Sequence, residues 1–420
     1  MILLKYGTYI DWQSLQFRQT DILVEEGPGG KIRLGKDWKE PADAQTIDCS
    51  GKFITKSFAN AHHHAYSALA TGMNPPEKKP GNFLEILQFI WWKLDKTLDP
   101  EIIRSSALAT AIACARNGVT FVIDHHASPM AIDGSLELTA DAFDQVGVGH
   151  LLCYEISDRD GRDKAREGLE ETARYLAKRQ GLVGLHASFT VGDDILLKAV
   201  DLALKTNSGI HIHAAEDKHD QEDCLKRYGK RVINRLSYAG VLQFPKTILA
   251  HCLHLNDKER SLVRESPVWI AENMESNLNN AVGFFNSGGL GSKIMIGTDG
   301  LHSDMLQSAR AAYFAGRHWD GTDQAESYRR LRNVHHYLQN NGFNGDGENN
   351  LVVLDYPTPT PLNSGNFLGH FLFGIESKHT IHVISNGKLI VRDRKILTVS
   401  EDEILAEAKI QAERLWKNMR

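Results

Sequence analysis

The chain has 420 residues, 42% of them hydrophobic and 24% charged, with a formal net charge of -5. That balance supports a large core without staples, and a sequence pI near 6.4 gives no electrostatic reason to expect a nucleic-acid partner. Lys5 and Asp11 interrupt the stretch where a signal sequence needs an apolar core, and no later run approaches the roughly 18 apolar residues of a membrane span, so a cytoplasmic protein that engages no membrane is expected. Cys49, Cys114, Cys153, Cys224 and Cys252 are odd in number and form no Cys-x-x-Cys pair, which argues for buried free thiols over disulfides or a thiolate zinc site.

Residues up to about Thr55 contain short β-like pieces, Leu3 to Ile10, Asp21 to Glu25 and Lys31 to Leu34, separated by Gly27-Pro28-Gly29-Gly30. Eight strand-like runs then follow: Phe58 to His64, Thr120 to His126, Gly149 to Ile156, Leu182 to Phe189, Gly209 to Glu216, Thr247 to His254, Pro267 to Met274 and Lys293 to Gly300. Several are nearly continuous in Val, Ile, Leu and Ala, as parallel strands covered on both faces require, and the intervals are long enough for crossover helices. The pattern predicts a (β/α)8 TIM barrel over 57–349.

A second β-rich patch begins near Leu351 and includes Ile381 to Ile384 and Lys388 to Val391 around the hairpin dipeptide Asn386-Gly387. Neither terminal patch can bury its own core, so 1–56 and 350–399 are expected to pair as one small β-sandwich domain. The last helix, 400–420, is predicted to start at Ser400 with Glu403 completing a capping box. Its stripe of Ile404, Leu405, Ala408, Ala412, Leu415 and Met419 should dock on the barrel or on a second subunit.

Polar residues gather at the C-terminal ends of the eight runs, the face on which a parallel barrel assembles a site. The period of two sends His62 and His64 to one face and turns His63 away. His213 ends the fifth run, His251 the sixth and Asp299 the eighth. Four histidines and a carboxylate at one mouth offer the nitrogen and oxygen ligands of a borderline divalent metal and leave a position for water.

In Phe58-Ala59-Asn60-Ala61-His62-His63-His64, His213-Ala214-Ala215-Glu216, Leu249-Ala250-His251-Cys252 and Gly297-Thr298-Asp299-Gly300 the sequence resembles the metal-dependent amidohydrolase superfamily, in its aminohydrolase branch of deaminases and chlorohydrolases. The resemblance covers nearly the whole chain. Asp124-His125-His126-Ala127-Ser128-Pro129, Glu275-Ser276-Asn277-Leu278-Asn279-Asn280 and Pro359-Thr360-Pro361 are most similar to the aminohydrolases associated with selenium metabolism. It implies that His62, His64, His213 and Asp299 ligate one divalent metal, zinc first and iron or manganese otherwise, which activates water. Asp299 would also hydrogen-bond that water, His251 would orient it, and Glu216 would carry a proton to the substrate ring and then to the leaving group.

Leu182 to Phe189 holds no lysine to bridge a metal pair, hence the single ion. His186 and His126 are the candidate substrate contacts, with a structural role the alternative for His126; His211 is read as a core hydrogen-bonding residue. Trp91 and Trp92 are read either as an aromatic lid or as helix packing. Lys56-Ser57 and Met274 depart from the usual Pro-Gly and Pro, and Gly300-Leu301-His302-Ser303-Asp304 lacks the usual Ser-Asn-Asn, which leaves substrate contacts open. The expected activity is hydrolytic deamination of a nitrogen heterocycle or amidine, a small molecule, by a homodimer. The rivals are cleavage of a carbon-halogen or cyclic amide bond, and a barrel that binds metal without catalysis.

Overall fold

The computed structural model describes residues 1–36, 38 and 44–419. Among the described residues, five strands lie in the N-terminal segment: β1 (Ile2–Ile10), β2 (Phe17–Val24), β3 (Ile32–Gly35), β4 (Gln45–Asp48) and β5 (Phe53–Lys56). Eight more follow in the middle of the chain: β6 (Phe58–His63), β7 (Val119–His126), β8 (Gly149–Tyr154), β9 (Val183–Ala187), β10 (Ile210–Ala214), β11 (Ile248–His251), β12 (Trp269–Glu272) and β13 (Ile294–Ile296). The last four are β14 (Leu351–Leu354), β15 (Thr380–Ser385), β16 (Lys388–Arg392) and β17 (Lys395–Ile396).

The middle strands form two parallel arrays in sequence order, β6-β7-β8 and β9-β10-β11-β12-β13. Parallel bridges Leu152–Gly181 and Ile156–Leu185 join β8 to β9, and the bridge His63–Asp299 joins β6 to the segment after β13. Gly184 is required at the first junction, because a Cβ there would lie 2.2 Å from the Tyr154 carbonyl oxygen.

Side-chain alternation explains the unbroken apolar runs. Phe121, Ile123, Leu151, Cys153, Ile248, Ala250, Ala271 and Met295 pack in one cluster that draws on both arrays. Their neighbours Val122, Leu152, Leu249, Ile270 and Ile296 pack on the other side, in the large cluster that includes Leu108 and Ile112 of the helix Pro100–Arg116. Both faces are therefore buried.

Each middle strand coincides with a predicted run. β7 begins one residue earlier, at Val119, and ends with its run at His126, whereas the other strands stop short of the C-terminal ends of theirs. For β10, β11 and β13 the reason is local. Ala215, His251, Cys252 and Asp299 all have positive φ, so the chain leaves the pleat at the residues where the polar side chains gather.

The two ends of the chain meet in one nine-stranded sheet, ordered β17-β16-β15-β14-β5-β1-β2-β3 with β4 beside β1. Its seam is the antiparallel pair β14-β5, where Leu351 faces Lys56 and Leu354 faces Phe53. Leu4, Ile22, Val24, Ile54, Val353 and Ile384 share one core drawn from both ends. Asn386 and Gly387 both have positive φ, as their hairpin turn requires.

The C-terminal helix spans Glu401–Asn418 with Ser400 as N-cap, but the Ser400 side chain makes no capping bond, so the expected capping box is not formed. Glu401 instead pairs with Arg116 at 2.7 Å and ties the helix start to the neighbouring helix. Ala408 and Leu415 pack against Leu69, Leu98, Ile102 and Ile103, which docks the stripe on its own chain.

Lys56 explains one departure from the family pattern. Its buried ammonium meets Asp346 at 2.6 Å, and His335 Nδ1 reaches the other carboxylate oxygen at 2.7 Å. Burial would raise Asp346, but His335 and Lys56 hold it down at about 2. Asp346→Asn leaves a buried cation unpaired and should cost about 3–5 kcal/mol, read as a lowered thermal midpoint. Because the folded-state pKa is depressed, that contribution is complete above the ordinary carboxyl value of 3.8. The gap between wild type and variant should therefore narrow as pH falls from there toward 2.

Candidate active site

The strand ends bring the predicted residues together. His64 Nε2 lies 3.1 Å from His213 Nε2 and 3.0 Å from Asp299 Oδ1, and His62 Nε2 lies 3.7 Å from the same oxygen. His251 Nε2 stands 3.8 Å from Asp299 Oδ2 and 3.5 Å from Glu216 Oε2. Ligand atoms of His62, His213, His251 and Asp299 all fall within 4.8 Å of one another.

Each imidazole is held from behind. The Nδ1 atoms of His64 and His213 donate to the carbonyls of His125 and His186 at 2.6 and 2.7 Å. His251 Nδ1 bonds Asn277 Oδ1 at 2.7 Å, and His62 Nδ1 meets His211 Nε2 at 2.9 Å. The shared outcome is an Nε2 atom directed inward on all four rings.

The backbone fixes Asp299 in the same way. The Thr298 and Asp299 N–H groups both donate to the His62 carbonyl at 3.0 Å, and His63, turned outward as its parity requires, donates from Nδ1 to the Asp299 carbonyl at 2.6 Å. Gly297 permits this approach, since a Cβ there would sit 2.8 Å from that of His62.

Burial depresses His62, His213 and His251, which keeps these rings neutral and their lone pairs free of protons that would compete with a cation. Burial would lower His64 too, but the bond and charge of Asp299 lift it to about 9. Burial first, then the charges of Asp299, Asp220 and Asp217, pushes the Glu216 carboxyl well above its ordinary value. Asp299 moves the other way: burial would raise it, but the bond and charge of His64, with the charges of His251 and His213, hold it below the usual carboxylate range.

The amidohydrolase family model matches residues 53–332, two thirds of the chain and all of the strands that build this site. The chain belongs to the amidohydrolase family. Among the relatives of this amidohydrolase, a 5-methylthioadenosine/S-adenosylhomocysteine deaminase of Pelotomaculum thermopropionicum is 27% identical, with 94% of this chain and 92% of the relative covered. A 5'-deoxyadenosine deaminase of Methanopyrus kandleri is 26% identical over 90% of both chains. The zinc-bound structure of an adenosine deaminase from Xanthomonas campestris superposes with a TM-score of 0.85 at 20% identity, covering 99% of this chain and 98% of that one. The protein is thus a metal-dependent aminohydrolase of that family.

The amidohydrolase's cavity opens beside these residues, and His186 lines it, with Nδ1 bonded to Thr190 Oγ1 at 2.5 Å. His126 is not brought there. On β7 it is His125 that faces the other histidine rings, while His126 is fully buried beside Tyr66 and Tyr154 and bonds Ser128 at 3.0 Å. Trp91 and Trp92 both line the cavity, where Trp91 ends a π-helical turn, Leu87–Trp91, and Trp92 begins the helix Trp92–Thr97.

Glu155, Arg159 and Asp95 also line the cavity, and sequence reasoning missed all three. Arg159 donates to Glu155 at 2.8 Å and to Asp95, with its guanidinium over the Trp92 ring at 5.4 Å. Glu155 sits at the end of the third predicted run, so the strand-end rule that selects His213 and Asp299 applies to it equally. Asp95 and Arg159 lie in connecting segments that no periodicity marks. Replacing Arg159 by Met leaves two buried carboxylates without their shared cation and should cost about 3–5 kcal/mol. Thermal melting checks this, with Arg159→Lys falling between the two because an ammonium cannot form the same fork.

Proposed function

We propose that this amidohydrolase replaces the exocyclic amino group of an adenosine-type nucleoside by oxygen, consuming water and releasing ammonia. The observation that carries the reading is the Glu216 carboxyl beside the cluster of His62, His64, His213, His251 and Asp299. The deaminases among its relatives supply the class of substrate.

The donor set fits a divalent cation. His62 Nε2 and His251 Nε2 are buried without hydrogen-bond partners, an arrangement that native interiors reserve for ligation or chemistry. His62, His64, His213 and Asp299 would hold the ion, zinc first and iron or manganese otherwise. When bound, it lowers the pKa of a coordinated water from about 15.7 to about 7.

One ion is expected. A second grouping, His64, His125, Glu155 and His213, shares His64 and His213 with that set, and the fourth run, Leu182 to Phe189, holds no lysine to bridge a metal pair. Within the site, Glu216 takes one proton of the attacking water to the ring nitrogen and then carries the second, from the hydroxyl of the adduct, to the amino group, which leaves as ammonia as the carbon–nitrogen bond breaks. Asp299 and His251 hold the water's remaining hydrogen and oxygen in line. His186 contacts the substrate from the cavity wall.

The same proposal has the eight middle strands close into a barrel over 57–349, through the bridges at both edges of the arrays and the core they share. Segments 1–56 and 350–399 then form a β-sandwich by folding the nine-stranded sheet over its own apolar face, with the helix 400–420 laid across the barrel. No helix among the described residues is long and apolar enough to cross a membrane. The working state proposed is a cytoplasmic homodimer acting on a small molecule, without nucleic acid.

Adenosine, 5'-deoxyadenosine and 5'-methylthioadenosine, assayed for ammonia with purified metal-quantified protein, test the reaction. Turnover of at least one with stoichiometric ammonia is expected, and failure on all three refutes the substrate class. Glu216→Gln should keep its metal and lose about 10²- to 10⁴-fold in kcat; full activity would remove Glu216 from the proton path. Chelation should abolish turnover, one equivalent of zinc should restore it, and His62→Ala should lower metal stoichiometry measured by mass spectrometry.

A further inference from the structure

The segment Glu275-Ser276-Asn277-Leu278-Asn279-Asn280 follows β12. It forms one short helical turn, Met274–Asn279, directly after β12, and Asn280 follows as its C-cap. Two of its side chains face two different reactive groups, and a third braces one of them. The Ser276 hydroxyl donates to Asp299 Oδ2 at 2.6 Å. The Asn277 side-chain carbonyl accepts from His251 Nδ1 at 2.7 Å. The Asn280 amide donates to Ser276 Oγ at 3.4 Å, and Asn280 lines the same cavity as Glu216.

We propose that this turn is a shared positioning platform, in which Ser276, braced by Asn280, and Asn277 orient Asp299 and His251 toward one reacting centre. Ser276 and Asn280 are four apart and share a helical face, while Asn277 points about 100° away, toward β11. The turn is pinned on its outer side by Glu275, which accepts from Ser308 at 2.6 Å and Gln307 at 2.8 Å on the helix Met305–Trp319. Ser276 and Asn277 are themselves buried, so their side chains have little freedom to turn elsewhere.

Each contact does something specific. Asp299 Oδ1 accepts from the Gly300 N–H at 2.9 Å and faces His64, so a hydroxyl on Oδ2 fixes which oxygen faces the ligand imidazoles and which faces His251. A side-chain carbonyl can only accept, so Asn277 requires hydrogen on His251 Nδ1 and leaves Nε2 toward Glu216 and Asp299.

The inference rests on the roles proposed above for Asp299 and His251, and its test is built to fail separately from them. Nitrogen-15 NMR of histidine in the zinc-loaded protein, with His251 assigned by its absence from a His251→Ala variant, reads the tautomer without any substrate. Wild type and Asn277→Asp, which keeps an acceptor, should show the Nδ1–H form, and Asn277→Leu should lose it. Ser276→Ala should lower kcat about 10- to 100-fold with KM and metal stoichiometry unchanged, and Ser276→Thr should recover most of the loss.

An unchanged His251 tautomer in Asn277→Leu overturns the proposal, whatever the enzyme turns over. So does a Ser276→Thr variant no better than Ser276→Ala, or a fall in bound metal that matches the fall in kcat. Absence of ammonia release by wild type would instead overturn the deaminase reading and leave the tautomer result standing.

Discussion

The structure depends on burying a crowd of imidazoles beside two carboxylates. His62, His64, His125, His211, His213 and His251 sit with ring centroids 4.8 to 5.9 Å apart in many of their pairings, a density that would be ruinous if the rings were all charged. The interior resolves this by giving each Nδ1 or outer nitrogen a fixed partner and by depressing the protonation of His62, His211, His213 and His251, chiefly through burial. What is left is a set of inward nitrogens, neutral except where His64 meets Asp299. Such a set is costly without a cation and strongly favourable with one, which is how a metal becomes part of the fold's stability as well as its chemistry.

That arrangement is imposed by backbone as much as by side chains. His251 and Asp299 have φ of 70° and 55°, values that cost a non-glycine residue free energy, and Ala215 between His213 and Glu216 has 51°. These residues stand where strands end, and the turn out of the pleat aims a side chain that regular alternation would direct elsewhere. The strain is tolerated because the flanking groups are bonded across strands, Asp299 to the His62 carbonyl and Cys252 to that of Ala214. A polar site is thus carried on strands whose remaining residues are packed on both sides.

Much of this is legible in the sequence. The eight apolar runs locate every middle strand, and the rule that polar residues collect at strand ends selects His62, His64, His213, His251 and Asp299, all of which converge. The failures have physical causes. Proximity to the same strand end points to His126, but parity turns His125 inward and His126 away. The capping box at Ser400 is a local pattern, and a tertiary ion pair, Glu401 with Arg116, holds the helix start in its place. Ser276 and Asn277 stand out only as a motif, because they act through contacts to residues 23 and 26 positions away, which spacing along the chain does not encode.

The opposite wall of the cavity follows a different logic. Arg159 is saturated by Glu155 and Asp95 and stacks on Trp92, so it presents no free guanidinium to a ligand. Burial raises Asp95 to about 7, with Arg159 opposing that rise, while the charges of His186 and Arg159 and the bond from His125 hold Glu155 well down against its own burial. The cation therefore serves to keep acidic groups in the wall, and the wall offers acceptors and aromatic surface to what enters. A flat heterocycle bearing hydrogen-bond donors matches that surface. An anionic substituent placed there would meet carboxylates whose one compensating charge is already shared.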